Sequence, residues 1–348
     1  MCITPYYSHR GEERSEARAS GSQPTGALGA TVPDMLAQSG SSDGWREAAD
    51  QVERSAMNNI YRQYDQTGLD AQYNNRARYP DFKSHFESWG RWSAAARAEL
   101  PHLPNVAFGS SPIEAVDIFP ASVPGSPIYL FIHGGYWYSL DKSDYSYVAK
   151  GMRPHGVTTV VNNFGLAPGY DMDSIVAHNR AAIVWLWRNA ESFGGDRDRI
   201  YVCGHSAGGH LGTLLLATDW HAIDPSLPMD PVKGVCAIGG IFDLEPIRLS
   251  FLNEKLHLTE EQVRKYSPLR LKFRRRAPLS LIVAIDESAE FHRQSREMGK
   301  LWQEMHWPVA SLVPPGLDHF SVVNDLGDPE CMLVQHQLEQ MRLAFGAA

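Results

Sequence analysis

The run Ile200-Tyr201-Val202-Cys203-Gly204-His205-Ser206-Ala207-Gly208-Gly209-His210-Leu211 decides how this chain is read. Four apolar residues read as a buried strand, and Leu211, Leu214, Leu215 and Leu216 read as the helix that follows. Between them, glycines two residues either side of Ser206 permit a sharp, strained turn. Such a turn pushes the serine oxygen out above a sheet. The N–H groups of the nascent helix then face charge developing on a bound acyl group. Ser206 is therefore the candidate nucleophile.

Working upstream, the apolar strand Ile128–Ile132 runs into His133-Gly134-Gly135-Tyr136-Trp137. A Gly-Gly step at a strand end frees backbone N–H groups to face a ligand. A tetrahedral intermediate needs such donors. Gly135 and Tyr136 are the expected pair, Ala207 the third, and Gly134 the substitute if the loop is shifted by one. His133 reads as a residue that orients the loop.

Working downstream, the general base must be a late histidine, because a serine presented this way is followed by its acid and then its histidine. His319, in the loop after the strand Val309–Val313, fits. His292, His306 and His336 fall in or beside helical patterns. The acid is expected just past the preceding strand, at Asp286, with Glu287 and Asp243 as alternatives. Its role is to hold the imidazole tautomer and stabilise the imidazolium. Asp318 reads as a loop-capping residue.

The wider pattern agrees. From Pro112 onward, short apolar runs (113–119, 128–132, 157–161, 200–203, 235–238, 279–284, 309–313) alternate with helical segments (143–153, 174–192, 206–217, 288–304, 329–345). That rhythm predicts an α/β fold with a mostly parallel central sheet and helices on both faces. Ser174 is the expected N-cap of the second helix. Nearer the start, 55–64 is a short helical candidate. Residues 81–100 form a stronger one, with Phe82, Phe86, Trp89, Ser93, Ala96 and Leu100 on one face. Residues 1–44, rich in Ser, Gly, Ala, Pro and charge, read as a disordered tail. Residues 45–348 read as one domain, in which 45–105 form an N-terminal helical cap.

Composition removes other classes. With 32 basic and 40 acidic residues (−8), the 348-residue chain lacks the basic footprint of a general nucleic-acid or anionic-membrane binder. The four cysteines form no CxxC. No HExxH or phosphate-loop motif occurs, so neither a metal nor a cofactor is expected. Met1–Arg14 carries no apolar signal core, and a cytoplasmic protein is expected.

With HGGYW, GHSAGG, DES (Asp286–Ser288) and GLDHF (Gly316–Phe320) in this order, the chain resembles the α/β-hydrolase superfamily, within it the hormone-sensitive-lipase-like branch, over roughly residues 55–346. The HGGYW form is similar to that of the arylformamidase (kynurenine formamidase) group. So are Tyr73-Asn74-Asn75-Arg76-Ala77-Arg78, Gly240–Pro246 and Asp286–Phe291. Phe164 departs from the tyrosine commoner in that branch. The resemblance implies Ser206, Asp286 and His319 as triad, and an N-formyl aromatic amide such as N-formylkynurenine as substrate. Trp137 and Tyr138 are the expected substrate-binding aromatics. A short-acyl carboxylesterase, or a hydrolase of xenobiotic aryl esters and carbamates, is the alternative. A non-catalytic ligand receptor on the same fold is the alternative of another class. The expected partner is a small-molecule ester or amide, with no nucleic acid and no membrane; a homodimer is admitted.

Overall fold

Strand β3 (Ser126–Ile132) shows how the molecule is layered. Its side chains alternate between faces. Ile128, Leu130 and Ile132 enter one apolar cluster, while Tyr129 and Phe131 enter another on the opposite side. The first cluster is covered by helices over Met172–Asn189, Ala207–Leu216 and Ala289–Glu304. The second is covered by Phe82–Glu99, Val148–Met152 and Met332–Leu343. Burial on both faces is why the strands read as continuous apolar runs.

The protein is described here by a computed structural model over residues 58–343. The expected tail at 1–44 and the first residues of the cap lie outside these. The described residues from Asn59 onward belong to one compact unit. The remaining strands are β1 (Leu103–Ala107), β2 (Ala115–Phe119), β4 (Thr158–Asn162), β5 (Gly195–His205), β6 (Val232–Ile238), β7 (Leu279–Ile282) and β8 (Val309–Leu312). The sheet order is β1-β2-β4-β3-β5-β6-β7-β8. From β4 to β8 every neighbouring pair is parallel; β1 and β2 are antiparallel additions at one edge. The chain moves from β3 outward to β4, then returns to the other side of β3 as β5. Ligands bind beyond the carboxyl ends of strands at such a switch point. The loops leaving β3 and β5 begin at His133 and Ser206.

Three local expectations need correction. The described part of the 55–64 candidate is a turn closed by a Tyr61–Tyr64 bridge, and the first helix among the described residues is α1 (Gln66–Tyr73), capped by Asp65. The helix at Met172–Asn189 is capped by Asp171, whose carboxylate accepts from the Ser174 amide; Ser174 is the donor, not the cap. Strand β1 was not expected. It carries Pro104, and most of it is exposed, so it shows no apolar period.

Candidate active site

Ser206 sits where β5 turns into the helix Ala207–Leu216, with φ +54° and ψ −117°. This backbone region is rare for a residue with a side chain. Its amide donates to the Ile238 carbonyl at 2.7 Å, which ties the turn to β6. The flanking glycines have a steric reason. A Cβ on Gly204 would lie 2.1 Å from the Gly208 carbonyl oxygen, and one on Gly208 would lie 2.0 Å from that of Ile132.

His319 comes from the loop after β8 and is buried. Its Nδ1–H donates to Glu287 Oε2 at 2.7 Å, and the Glu287 side chain is fully buried. That bond fixes the tautomer and leaves Nε2 as the acceptor toward the cavity. The carboxylate on His319 is thus Glu287, and the expectation of Asp286 is corrected. Strand β7 ends at Ile282, earlier than expected, and a turn closes with the Glu287 amide on the Ala284 carbonyl at 3.1 Å. The turn faces Glu287 inward and leaves Asp286 exposed. Asp286 is held through its backbone: its carbonyl accepts from the Tyr79 hydroxyl at 2.5 Å. Asp243 is not at His319; it receives Tyr61 Oη at 2.9 Å and Arg270 at 3.0 Å. Asp318 caps the loop, accepting from the Phe320 and Ser321 amides at 2.7 and 2.8 Å.

Two further buried histidines shape the site. His205 lies between Ser206 and the His319 loop, and its Nε2–H donates to the His319 carbonyl at 2.8 Å. Burial, with the nearby His319 ring, holds its pKa down at about 3, so it stays neutral. His133 is also fully buried, and burial lowers its pKa. It stacks on Phe164 at 4.3 Å and bonds the Gly134 carbonyl at 2.8 Å, as a loop-orienting residue should.

The loop after β3 then doubles back. Gly135, Tyr136 and Trp137 have φ of +100°, +49° and +58°. The Tyr138 and Ser139 amides both donate to the Gly135 carbonyl, at 3.1 and 3.0 Å. A Cβ on Gly134 would stand 3.1 Å from Ser206 Cβ, so this loop runs directly beside the serine. Gly135, Tyr136, Ser206 and His319 line one cavity of about 190 Å³. Among the described residues no hydrogen bond joins Ser206 to His319; they meet as walls of this cavity, and such bonds commonly tighten when substrate arrives.

Tyr138 lines the cavity, but Trp137 does not. Trp137 is fully buried, edge-on to His210 at 5.0 Å, in the core beneath the loop. Its expected substrate contact is therefore corrected. The rest of the wall includes Phe86 and Trp89 from the aromatic face of the expected cap, Tyr73–Arg76 and Phe320 from stretches that carry the resemblance, and Leu140 and Phe251, which the sequence did not single out. The Tyr73–Arg78 stretch carries part of the resemblance. Its signal was there, but the sequence did not say where it folds.

The same stretches that carry the resemblance also brace the site. Tyr73 Oη donates to Glu290 Oε2 at 3.1 Å and accepts from Gln294 at 2.9 Å. Gln294 Oε1 accepts from the amides of Phe242 and Asp243. Arg293 pairs with Glu290 at 2.7 Å and donates to Tyr61 Oη at 3.1 Å. Burial and Asp243 push the Tyr61 phenol up to about 12, so it remains a donor.

The BD-FAE family model matches residues 117–267. Kynurenine formamidase from Danio rerio is 30% identical over 266 residues, covering 74% of this chain and 88% of that protein. The Salmo salar kynurenine formamidase is 30% identical over 282 residues, covering 78% and 93%. Esterase LipC from Mycobacterium tuberculosis is 30% identical over 149 residues, covering 40% of this chain and 36% of that protein. Among solved structures, a putative thioesterase from Silicibacter sp. TM1040 superposes with TM-score 0.68 at 26% identity, covering 77% of this chain and 97% of that one. The thermophilic carboxylesterase EstE1, from a metagenomic library, shares the fold (TM-score 0.56, 19% identity, 76% and 94% coverage). The chain belongs to the kynurenine formamidase family and is an α/β-hydrolase acting on ester or amide bonds.

Proposed function

We propose that this hydrolase cleaves an N-formyl aryl amide such as N-formylkynurenine, using Ser206, His319 and Glu287 as its triad. The observation that carries the reading is the shared cavity. Ser206 and His319 line this cavity of about 190 Å³ together with the aromatic side chains of Tyr136, Tyr138, Phe86 and Phe320. Formyl is the smallest acyl group, and an aryl leaving group suits the wall.

In the proposed sequence, Ser206 Oγ attacks the formyl carbon while its proton passes to His319 Nε2. The Gly135, Tyr136 and Ala207 amides receive the oxyanion, each donor worth about 100- to 1000-fold in rate. The tetrahedral adduct collapses with loss of the C–N bond, and His319 delivers its proton to the departing arylamine. Water then repeats the attack on the formyl-serine and releases formate. Glu287 keeps Nδ1 protonated and stabilises the imidazolium throughout, without taking the proton. No step calls on a cofactor.

The likeness to esterases favours a second reading, a short-acyl carboxylesterase. Comparing kcat/KM for N-formylkynurenine and p-nitrophenyl acetate separates the two. The proposal expects the formyl amide to be preferred and both activities to vanish in Ser206→Ala. Turnover of the ester alone leaves the esterase reading. Failure of folded wild-type protein to react at Ser206 with a fluorophosphonate would leave the receptor reading instead.

A further inference from the structure

Among the described residues, the cavity wall contains one full cation, Arg76, and no carboxylate. Arg76 stands at the exposed rim, at the start of the short helix Asn75–Arg78. Its guanidinium lies against the Phe82 and Phe86 rings, 5.5 and 5.9 Å from their centroids. One long hydrogen bond, 3.3 Å, runs from Nη2 to Ser139 Oγ, and Ser139 in turn donates to the Gly135 carbonyl. The guanidinium is thus fixed to the loop that faces Ser206, with most of its five donors unused. Among the described residues no carboxylate pairs with it.

Asn75 supplies the second observation. Its neighbour Asn74 has a structural task, accepting from the Ala77 amide at 3.1 Å. Asn75 has none of that kind. It is 4% exposed, it lines the cavity, and its Nδ2 group is buried without a hydrogen-bond partner in the protein. A buried amide left without a partner is costly unless a ligand satisfies it.

We propose that Arg76 and Asn75 form a subsite for a carboxylate on the leaving-group side of the substrate. The enzyme would then select aryl amides or esters that carry a carboxylate on that side over carboxamides of the same shape. Charge makes the choice: among the described residues the wall offers an anion one cation and the unpartnered Asn75 amide, and no carboxylate. This deepens the formyl-amide reading, but it rests on that reading only for the identity of the bond cleaved.

The test uses two matched pairs, so that the subsite and the formyl-amide reading fail separately. The first pair is N-formylkynurenine and its carboxamide. The second is 3-(4-acetoxyphenyl)propionate and 3-(4-acetoxyphenyl)propionamide. In wild type the carboxylate member of each pair should have the higher kcat/KM, by about tenfold for one charge-assisted contact at an exposed rim. Added salt should shrink that ratio. Arg76→Gln should bring the ratio to about one, chiefly by lowering kcat/KM for the carboxylate member. Arg76→Lys should keep part of the ratio, since the bidentate fork is lost but the charge is not. Arg76→Glu should invert it. Asn75→Ala should lower the ratio in the same sense. Equal kcat/KM within both pairs in wild type overturns the subsite. So does an Arg76→Gln variant that loses both members of a pair equally, because that marks a structural role. If neither formamide is turned over while the ester pair keeps its preference, the formyl-amide reading falls and the subsite stands.

Discussion

Glu287 Oε2 accepts the Nδ1 proton of His319 at 2.7 Å, between two side chains that are almost wholly out of solvent. A carboxylate in that position holds the ring in its useful tautomer. Glu287→Gln should therefore lower kcat by about 10³- to 10⁴-fold with little change in KM. Asp286→Asn should change kcat by less than about threefold, because Asp286 is exposed and engages the site through its backbone. Steady-state kinetics on the two variants decides, and a large loss in Asp286→Asn with a small one in Glu287→Gln would reverse the assignment.

Gly239, at the end of β6, underlies this pair. Its φ is +54°, and a Cβ there would meet Glu287 Oε1 at 3.0 Å and His319 Nδ1 at 3.1 Å. A methyl group must push the carboxylate and imidazole apart or strain the turn. Gly239→Ala should lower kcat by at least about tenfold, since small misplacements of reacting groups are costly. Circular dichroism should still report a folded protein. An unchanged kcat would mean that the His319–Glu287 pair tolerates displacement.

What the sequence made legible follows from how local each signal is. The Gly204–Gly209 turn needs only glycines at fixed offsets, and the strand and helix on either side are contiguous with it. The acid is different. Asp286 and Glu287 are neighbours of like chemistry, and which one turns inward depends on β7 stopping at Ile282. That stop is set by pairing with β8 and by the Ala284–Glu287 turn, neither of which is a property of the segment alone. Tyr136, Trp137 and Tyr138 form a similar case. Three adjacent aromatics do not reveal their directions, and the positive φ values at 136 and 137 send only the middle ring into the core. The Tyr73–Arg76 wall lies some 130 residues from Ser206 in sequence, and only packing of the N-terminal helices brings it there.

The burial of Trp137 separates two aromatics that the sequence treated alike. Trp137→Ala removes a large, fully buried ring and should cost about 3–5 kcal/mol of stability. Tyr138→Ala, on the cavity wall and only partly buried, should cost much less and act mainly by raising KM for aryl substrates. Urea unfolding and steady-state kinetics on both variants check this. A Trp137→Ala protein of near wild-type stability but raised KM would restore Trp137 as a substrate contact.

The ion pair between Glu290 and Arg293 sits under the N-terminal helices, with side chains 1% and 12% exposed. Glu290→Ala leaves the largely buried guanidinium with Glu297 as its remaining carboxylate and removes the acceptor of the Tyr73 hydroxyl. The expected loss is about 2–3 kcal/mol. Tyr73→Phe removes one hydrogen bond, leaves the ion pair, and should cost about 1 kcal/mol. Because Tyr73 also lines the cavity, both variants should show raised KM along with the lower denaturation midpoint. Equal stabilities of the two variants would mean that the ion pair contributes nothing beyond the hydroxyl.

Stability should also depend on pH through buried histidines whose pKa values burial lowers in the folded protein. Burial lowers His133, holds His205 at about 3 and holds His210 at about 4. In the unfolded chain each titrates near the ordinary value of about 6.5. Between that value and the folded pKa, the unfolded state binds the extra proton, so stability rises with pH. Their contribution is complete above about pH 6.5 and is lost as pH falls toward the folded values. Each of His205 and His210 should cost about 2 kcal/mol between pH 7 and pH 5. Urea unfolding at the two pH values measures the total. In His210→Gln, where the amide can still donate to the Tyr266 carbonyl that His210 Nε2 now bonds at 2.7 Å, the difference between the two pH values should shrink by about 2 kcal/mol. An unchanged difference in that variant would mean that His210 takes up its proton in the folded protein.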